Sequence, residues 1–450
     1  MVDVTLLRSR VAGAVLTPND PGFTEEVTGW LLNCSHTPDV VVGASSADDV
    51  VEAVKFAVAS GLPVRVRGTG HGADVPITDG LLITTKRLDS LAIDESTRIA
   101  TIGAGLEWAR VVDAAAPLGL VPVLGSSSTV GAVGFLLGGG LGPLARSHGF
   151  GSDWVRGFEL VTGTGELLVA DAQHNTDLFW ALRGGKGGLG VVTSVSVELA
   201  ALATIYGGSL TFDAPDIDAA LRAWVRYTQT ADPLVSTSIA ITRVPDLPFI
   251  PEPVRGHTLL AVRFAYPGDA ETGEKLAAPL RAAAPVYIDA LGELDVALMD
   301  NIHADPKEPG IGWVSGRLLT GLDEQLVETL LGFAGAEHQF PFVALEVRDL
   351  GSATHRDVPG GSAVSGRSGK ATLTLVGASD PALFATVLPQ AAAALFEAVT
   401  PWRSSENTIN FAPPPESRQE YEAIWPADVF ARLTAVRQKY DPKGTFVYGK

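Results

Sequence analysis

The spacing of apolar and polar residues changes along this chain, and the changes divide it. The all-apolar run Val40 to Val42, closing on Gly43, predicts a short buried strand. Ser46-Ala-Asp-Asp then opens a stretch in which Val50, Val51, Val54 and Ala57 recur at helical spacing, and Gly61 ends it. Pro63 to Arg67 alternates as a strand does and runs into three glycines interrupted by Thr69 and His71. Strands follow at Leu81 to Thr85 and Ile99 to Ile102, a helix near Leu106 to Ala116, a short helix opening at Asp177, and a strand from Val191 to Val197. This alternation is that of a nucleotide-binding α+β domain. Beyond about Ala200 the elements lengthen, with strands at Val235 to Thr242, Thr258 to Tyr266, Val343 to Asp349 and Ala371 to Val376. Helices are expected at Ile217 to Thr230, Asp269 to Ala283, Leu322 to Phe333 and Pro381 to Val399. Together these predict a second domain, 201–401, in which an antiparallel sheet carries helices on one face.

Strand alternation also assigns side chains to faces. In the Val343 to Asp349 strand, Val343, Leu345 and Val347 turn to the helices, and Glu346 and Arg348 share the other side. Thr372 and Thr374 likewise oppose Leu373 and Leu375, and Arg263 opposes Val262 and Phe264. The residues by themselves favour a solvated polar face.

Composition narrows the function classes. With 450 residues, 46% hydrophobic and 19% charged, the chain has ample material for two or three cores. Its 33 Lys and Arg against 51 Asp and Glu give a net charge of -18, which opposes binding to nucleic acid or to an anionic membrane. Cys34 is the only cysteine, so neither an intramolecular disulfide nor a thiolate metal cluster is possible, and no metal ligands are assigned. The opening Met-Val-Asp-Val-Thr-Leu-Leu-Arg resembles neither a signal peptide nor a membrane anchor, and a cytoplasmic location is the expectation. The 49 Gly and 29 Pro call for many turns.

Three glycine-rich stretches carry the candidate chemistry. In Arg67-Gly-Thr-Gly-His-Gly72 the glycines allow several backbone N–H groups to converge on an anion, with Arg65 and Arg67 nearby and His71 at the tip. On residue chemistry a reactive histidine and a tight turn with a solvated one are equally supported. Gly125 to Gly142 scans as a dinucleotide fingerprint, but no strand feeds directly into it and no acidic residue follows at the required distance, which argues against a nicotinamide cofactor. Asn175 to Ser194 is the third stretch.

Taken in order, these stretches resemble the berberine-bridge-enzyme-like group of FAD-linked oxidases, with the vanillyl-alcohol-oxidase or PCMH type of fold. The resemblance implies an α+β protein made of a two-part PCMH-type FAD-binding domain (1–200), a substrate domain with an antiparallel sheet backed by helices (201–401), and a C-terminal segment returning to the FAD-binding domain (402–450). It implies that Arg67, Gly68, Thr69, Gly70 and Gly72 cradle FAD and that His71 bonds covalently to its 8α-methyl carbon. Ser127, Thr129, Gly131, Gly134, Gly139 and Gly140 would run beside the cofactor, Gly190 and Val192 would hold its nucleotide end, and Asn410 would contribute from the C-terminal segment.

Several features depart from the family pattern. Ser127 stands where many members carry a cysteine that makes a second bond to the flavin, so a single link through His71 is expected. Phe411 stands where several have a tyrosine base. An alcohol substrate then needs Glu346 or His303 to take its proton, whereas a neutral amine needs no base. In the family this polar sheet face roofs the flavin, so the resemblance reverses the solvated reading, and Arg348, Arg263, Thr374 and Phe411 are the expected substrate contacts. Val130, three residues past Ser127, matches the oxygen gate, where the family's oxidases carry valine and its dehydrogenases leucine. The expectation is an oxidase passing electrons from a small substrate to O2 to give hydrogen peroxide. A dehydrogenase using a quinone or protein acceptor, or a flavin-binding protein without turnover, are the alternatives.

Overall fold

The structure is a computed structural model and describes residues 2–72, 75–248 and 250–448. Local chemistry fixes the first unit. The Ala47–Ser60 helix starts where the Ser46 hydroxyl accepts from the Asp49 amide at 3.2 Å, and it stops at Gly61, whose φ of 65° is the left-handed geometry of a C-terminal cap. Its apolar side, Val50, Ala53, Val54 and Ala57, is buried. The helix returns the chain so that Val40–Gly43 and Val64–Arg67 both pair parallel with Leu81–Thr84, and Ala14–Leu16 adds an antiparallel edge. A second, five-stranded antiparallel sheet runs in the order Leu91–Asp94, Ile99–Gly103, Val191–Glu198, Val155–Val161, Leu167–Asp171. Both sheets share one apolar core, which also takes in Tyr421, Trp425, Phe430, Leu433, Val436, Tyr440 and Phe446 from the end of the chain. There the buried Arg437 donates to the carbonyls of Gly185 at 2.7 Å and Gly187 at 3.0 Å, fixing the third glycine-rich stretch.

The second unit is an eight-stranded antiparallel sheet. Leu345, Val347, Leu373, Leu375, Val262 and Phe264 pack against helices that include Ile217–Thr228, Glu324–Ala334 and Val387–Ala398, as the alternation predicts. Val343 departs from it. The pairing register shifts between Phe342 and Ala344, so Phe342 enters the core in its place. The expected helix from Pro381 is also interrupted: a short 3-10 turn, Pro381–Leu383, precedes the helix proper at Val387. Strands Thr204–Asp213 and Val314–Leu319 were not legible, because Gly207-Gly208 and Gly316-Arg317 break their apolar alternation.

Two arginines, Arg146 buried and Arg367 half-buried, join the units. Arg146, in the Ala145–His148 turn of helix, donates to Asp349 and to the Val235 carbonyl, both at 2.7 Å. Arg367 reaches Asp153 at 2.5 Å. Burial raises the Asp349 carboxyl above the ordinary carboxylate range even though Arg146 and Lys370 both lower it. Removing either cation would therefore leave a costly buried group.

Candidate active site

The first glycine-rich loop leaves the Val64–Arg67 strand and turns at Gly70, whose φ is 87°. A side chain there would also meet Gly29 and the Trp30 amide. The turn delivers His71 to the second loop, where five groups form a chain. The hydroxyls of Ser127 and Thr129 are 2.9 Å apart, Thr129 Oγ1 is 3.2 Å from His71 Nε2, and His71 Nδ1 is 3.1 Å from Thr69 Oγ1, which accepts from the Gly131 amide at 3.3 Å. The imidazole stacks on Trp30, with centroids 3.9 Å apart and planes 19° from parallel. Burial pushes its pKa down to about 4, so at neutral pH the ring is an uncharged nucleophile.

Around this chain the backbone is open to a ligand. A Cβ built on Gly72, in the first loop, or on Gly134, in the Ala132–Leu137 helix that continues the second stretch, would meet no described atom within 4 Å, so main chain faces free space at both. Hydroxyls, the Gly131 amide and a neutral imidazole, with no carboxylate in the chain of contacts, fit the polar groups and ring edge of FAD. Thr69, His71, Gly72, Thr129 and Gly134 are the residues that would hold it.

Other expected cofactor residues have visible packing roles. Gly139 and Gly140 have φ of 92° and 81°, and side chains there would strike Val364 or Phe150 and the Phe135 ring. Gly190 backs onto Leu160, and Val192 is buried opposite it in the sheet. Asn410 accepts from Lys186 at 2.8 Å and donates to the Phe135 carbonyl at 3.0 Å, pinning the second loop. Gly68 lies near Thr85 and the Ala104 carbonyl. Arg67 differs from the expectation. Its buried guanidinium donates to the Glu26 carbonyl at 2.6 Å and to that of Val27, so it braces the segment under the loop instead of facing an anion. Arg65 is likewise spent, on Asp79 at 2.7 Å.

The polar face of the large sheet closes over the second loop. Arg263 and Ser238 stand in register, as do Ser238 and Arg348, and Arg348 and Thr372; Glu346 lies opposite Thr374. This face is buried, not solvated. Glu346 is 7% exposed and accepts from Arg263 through one oxygen and from Arg348, at 2.9 Å, through the other. Burial would raise its carboxyl, but the two guanidiniums outweigh that and hold it below the usual range. His303 lies 3.7 Å from the same carboxylate. Burial first, then Arg263 and Arg348, depress its pKa well below the ordinary value, so the ring is neutral and the contact is not an ion pair. Arg348 also lies over the Phe411 ring at 5.2 Å and reaches Ser126 at 3.4 Å.

Among the described residues, both ring nitrogens of His303, Arg348 Nε, Thr372 Oγ1 and Thr374 Oγ1 are buried without a hydrogen-bond partner. So many unmet polar atoms on one face mark a surface built for a polar ligand. Val130 packs partly buried against the first core, and its carbonyl accepts from Trp108 at 3.1 Å. No sequence pattern pointed to Trp30 under His71, or to Asp300, which accepts from the Ser128 amide and hydroxyl at 2.9 and 2.6 Å and ties the sheet unit to the second glycine-rich stretch. Neither lies in a periodic or glycine-rich pattern, and only the fold brings them in.

Residues 38–171 match the family model described as FAD binding domain. A FAD-dependent monooxygenase of Penicillium roqueforti is 33% identical over 220 residues, 48% of this chain and 43% of that protein. The (R)-6-hydroxynicotine oxidase of Paenarthrobacter nicotinovorans is 35% identical over 191 residues, 42% of each. Each match thus spans less than half of the relative's length. In three dimensions the likeness runs through the whole chain. 6-Hydroxy-D-nicotine oxidase from Arthrobacter nicotinovorans superposes with a TM-score of 0.83 at 23% identity, covering 98% of this chain and 97% of that one. BBE-like 1 of Physcomitrella patens gives 0.83 at 17% identity, covering 100% and 98%. The chain therefore carries a PCMH-type FAD-binding domain and has the fold of the berberine-bridge-enzyme-like FAD-linked oxidoreductases.

Proposed function

We propose that this protein is an FAD-linked oxidase that takes a hydride from a C–H bond beside a hydroxyl or amine of a small organic molecule. The observation that carries the reading is the meeting of the His71 loop chain with a buried polar sheet face whose donors and acceptors are unmet. Bound FAD would supply the two-electron acceptor. The chain's own residues do the rest: His71 would hold the cofactor by a single covalent bond, the sheet face orients the substrate, and the closed packing excludes water. Val130 supports O2 as the acceptor, because a valine leaves more space than the leucine of the dehydrogenases. Among the described residues no helix is long and apolar enough to cross a membrane.

The test is anaerobic reduction of the purified protein by a panel of alcohols, sugars, phenols and amines, followed by mixing with oxygenated buffer. Bleaching by one class and rapid recovery with release of hydrogen peroxide are expected. Slow recovery in air beside fast recovery with a quinone would make it a dehydrogenase. Failure of every substrate would leave a flavin-binding protein without turnover.

A further inference from the structure

The polar sheet face contains more charge than free basicity, and that imbalance identifies both the proton acceptor and the substrate class. Glu346 is occupied, with each carboxylate oxygen taken by a guanidinium. Asp305 hydrogen-bonds Ser126, and burial pushes its carboxyl toward the neutral form, so it too is a weak acceptor. Arginine, threonine and phenylalanine offer no base at this face. Among the described groups of this face, His303 is the one ring base with no hydrogen-bond partner, and its side chain is 4% exposed. The Glu346 carboxylate, 3.7 Å from Nε2, favours the tautomer protonated on that nitrogen, which leaves Nδ1 as the acceptor.

Resting on the oxidase reading, we infer that His303 is the catalytic base of this protein and that its substrate is a neutral hydroxyl compound, not a cationic amine. The hydroxyl O–H would break with its proton passing to His303, the C–O bond would become a carbonyl, and FAD, when bound, would supply the acceptor for the hydride that carries away the C–H electron pair. One proton and one hydride account for the two hydrogens lost. Charge at the site points the same way. Arg263 and Arg348 face the ligand space from two strands against the single committed carboxylate of Glu346, with Asp305 shifted toward neutral and Asp300 turned onto Ser128 and Lys307. An ammonium group would meet this excess of positive charge, whereas a hydroxyl meets an acceptor in His303 and donors in Arg348, Thr372 and Thr374.

Two measurements on the flavin-loaded protein test this. The first is calorimetric binding of tertiary alcohols and their ammonium isosteres, which have no C–H beside the heteroatom and cannot be oxidised. The alcohol of each pair should bind at least about ten-fold tighter, and equal or tighter binding of the ammonium overturns the substrate assignment. The second is stopped-flow reduction by a primary or secondary alcohol across pH. His303→Gln should slow the limiting rate on the order of 10²-fold and abolish the dependence on a single deprotonation, with flavin content and melting temperature unchanged. A wild-type rate, or a loss uniform across pH, overturns the base assignment. If amines reduce the flavin and alcohols do not, the oxidase reading stands and this inference falls. If neither class reduces it, both fall.

Discussion

The two walls of the site are made in opposite ways. The His71 wall is set by backbone turns, with glycines that bring two threonine hydroxyls to a neutral imidazole and, behind Thr69, the Gly131 amide. The Glu346 wall is all side chain, with two arginines, a glutamate and two threonines projected from strands of one sheet, and His303 added from the end of the Val296–Ile302 3-10 helix, into a buried layer. A backbone wall is specified locally, because glycine permits the turn wherever the rest of the chain lies. A side-chain wall exists only once register has aligned strands far apart in sequence. The first should therefore tolerate change around it and fail at one residue. In the second, breaking the arginine–glutamate pairing should cost stability as well as function.

The sharpest break is His71→Ala. Wild type should keep its yellow colour in an acid-precipitated pellet, and the variant should release all of it to the supernatant; a colourless wild-type pellet refutes the covalent link. The same histidine sets a pH dependence. Its folded pKa is depressed to about 4, so the neutral ring persists through mild acid. Acid-stable incorporation of FAD into flavin-free protein should therefore be level from pH 8 to about 5 and fall as pH drops through about 4. A fall centred near the ordinary histidine value, about 6.5, would show that burial does not govern it.

Next in size is Glu346→Gln, which leaves Arg263 and Arg348 buried with no anion. Breaking such a cluster costs about 3 kcal/mol of stability, measurable by denaturant unfolding. Because the folded carboxyl is held below its usual pKa, the stabilisation is full above the unfolded value and is lost as pH falls through the folded one. The gap between wild type and variant should thus be level at neutral pH and close only in strong acid. A gap that opens in acid would contradict the pairing.

Val130→Leu should be milder. If the added methylene narrows the approach of O2, reoxidation by air should slow on the order of ten-fold, about 1.4 kcal/mol in the barrier, with substrate reduction little changed. Equal slowing of both steps would make Val130 a packing residue only. Smallest of all is Ser127→Ala, which removes one hydroxyl contact, 2.9 Å from Thr129, and should leave acid-stable flavin intact.

This contrast follows what was legible beforehand. Ser46 and Gly61 announce a helix that the structure caps at those residues, because capping involves only neighbours. The glycine signatures announce a cofactor loop for the same reason. Alternation placed Glu346, Arg348, Arg263 and Thr374 on one face, yet it could not say whether that face met water or protein, and the residues alone favoured water. At Val343 even the alternation failed, since a bulge depends on how the partner strand is laid.

What the sequence determined by itself is what short range can encode: the order of elements, the flavin-binding turns, and which side chains share a strand face. Tertiary structure decided the remainder. It turned Arg67 away from the loop and onto carbonyls some forty residues earlier, set Trp30 against His71, and locked Arg146 to Asp349. It also sealed the polar face, fixing Glu346 between two cations while leaving His303 neutral and unmet. Burial and charge pairing are sums over groups distant in sequence, so no local pattern could have carried them.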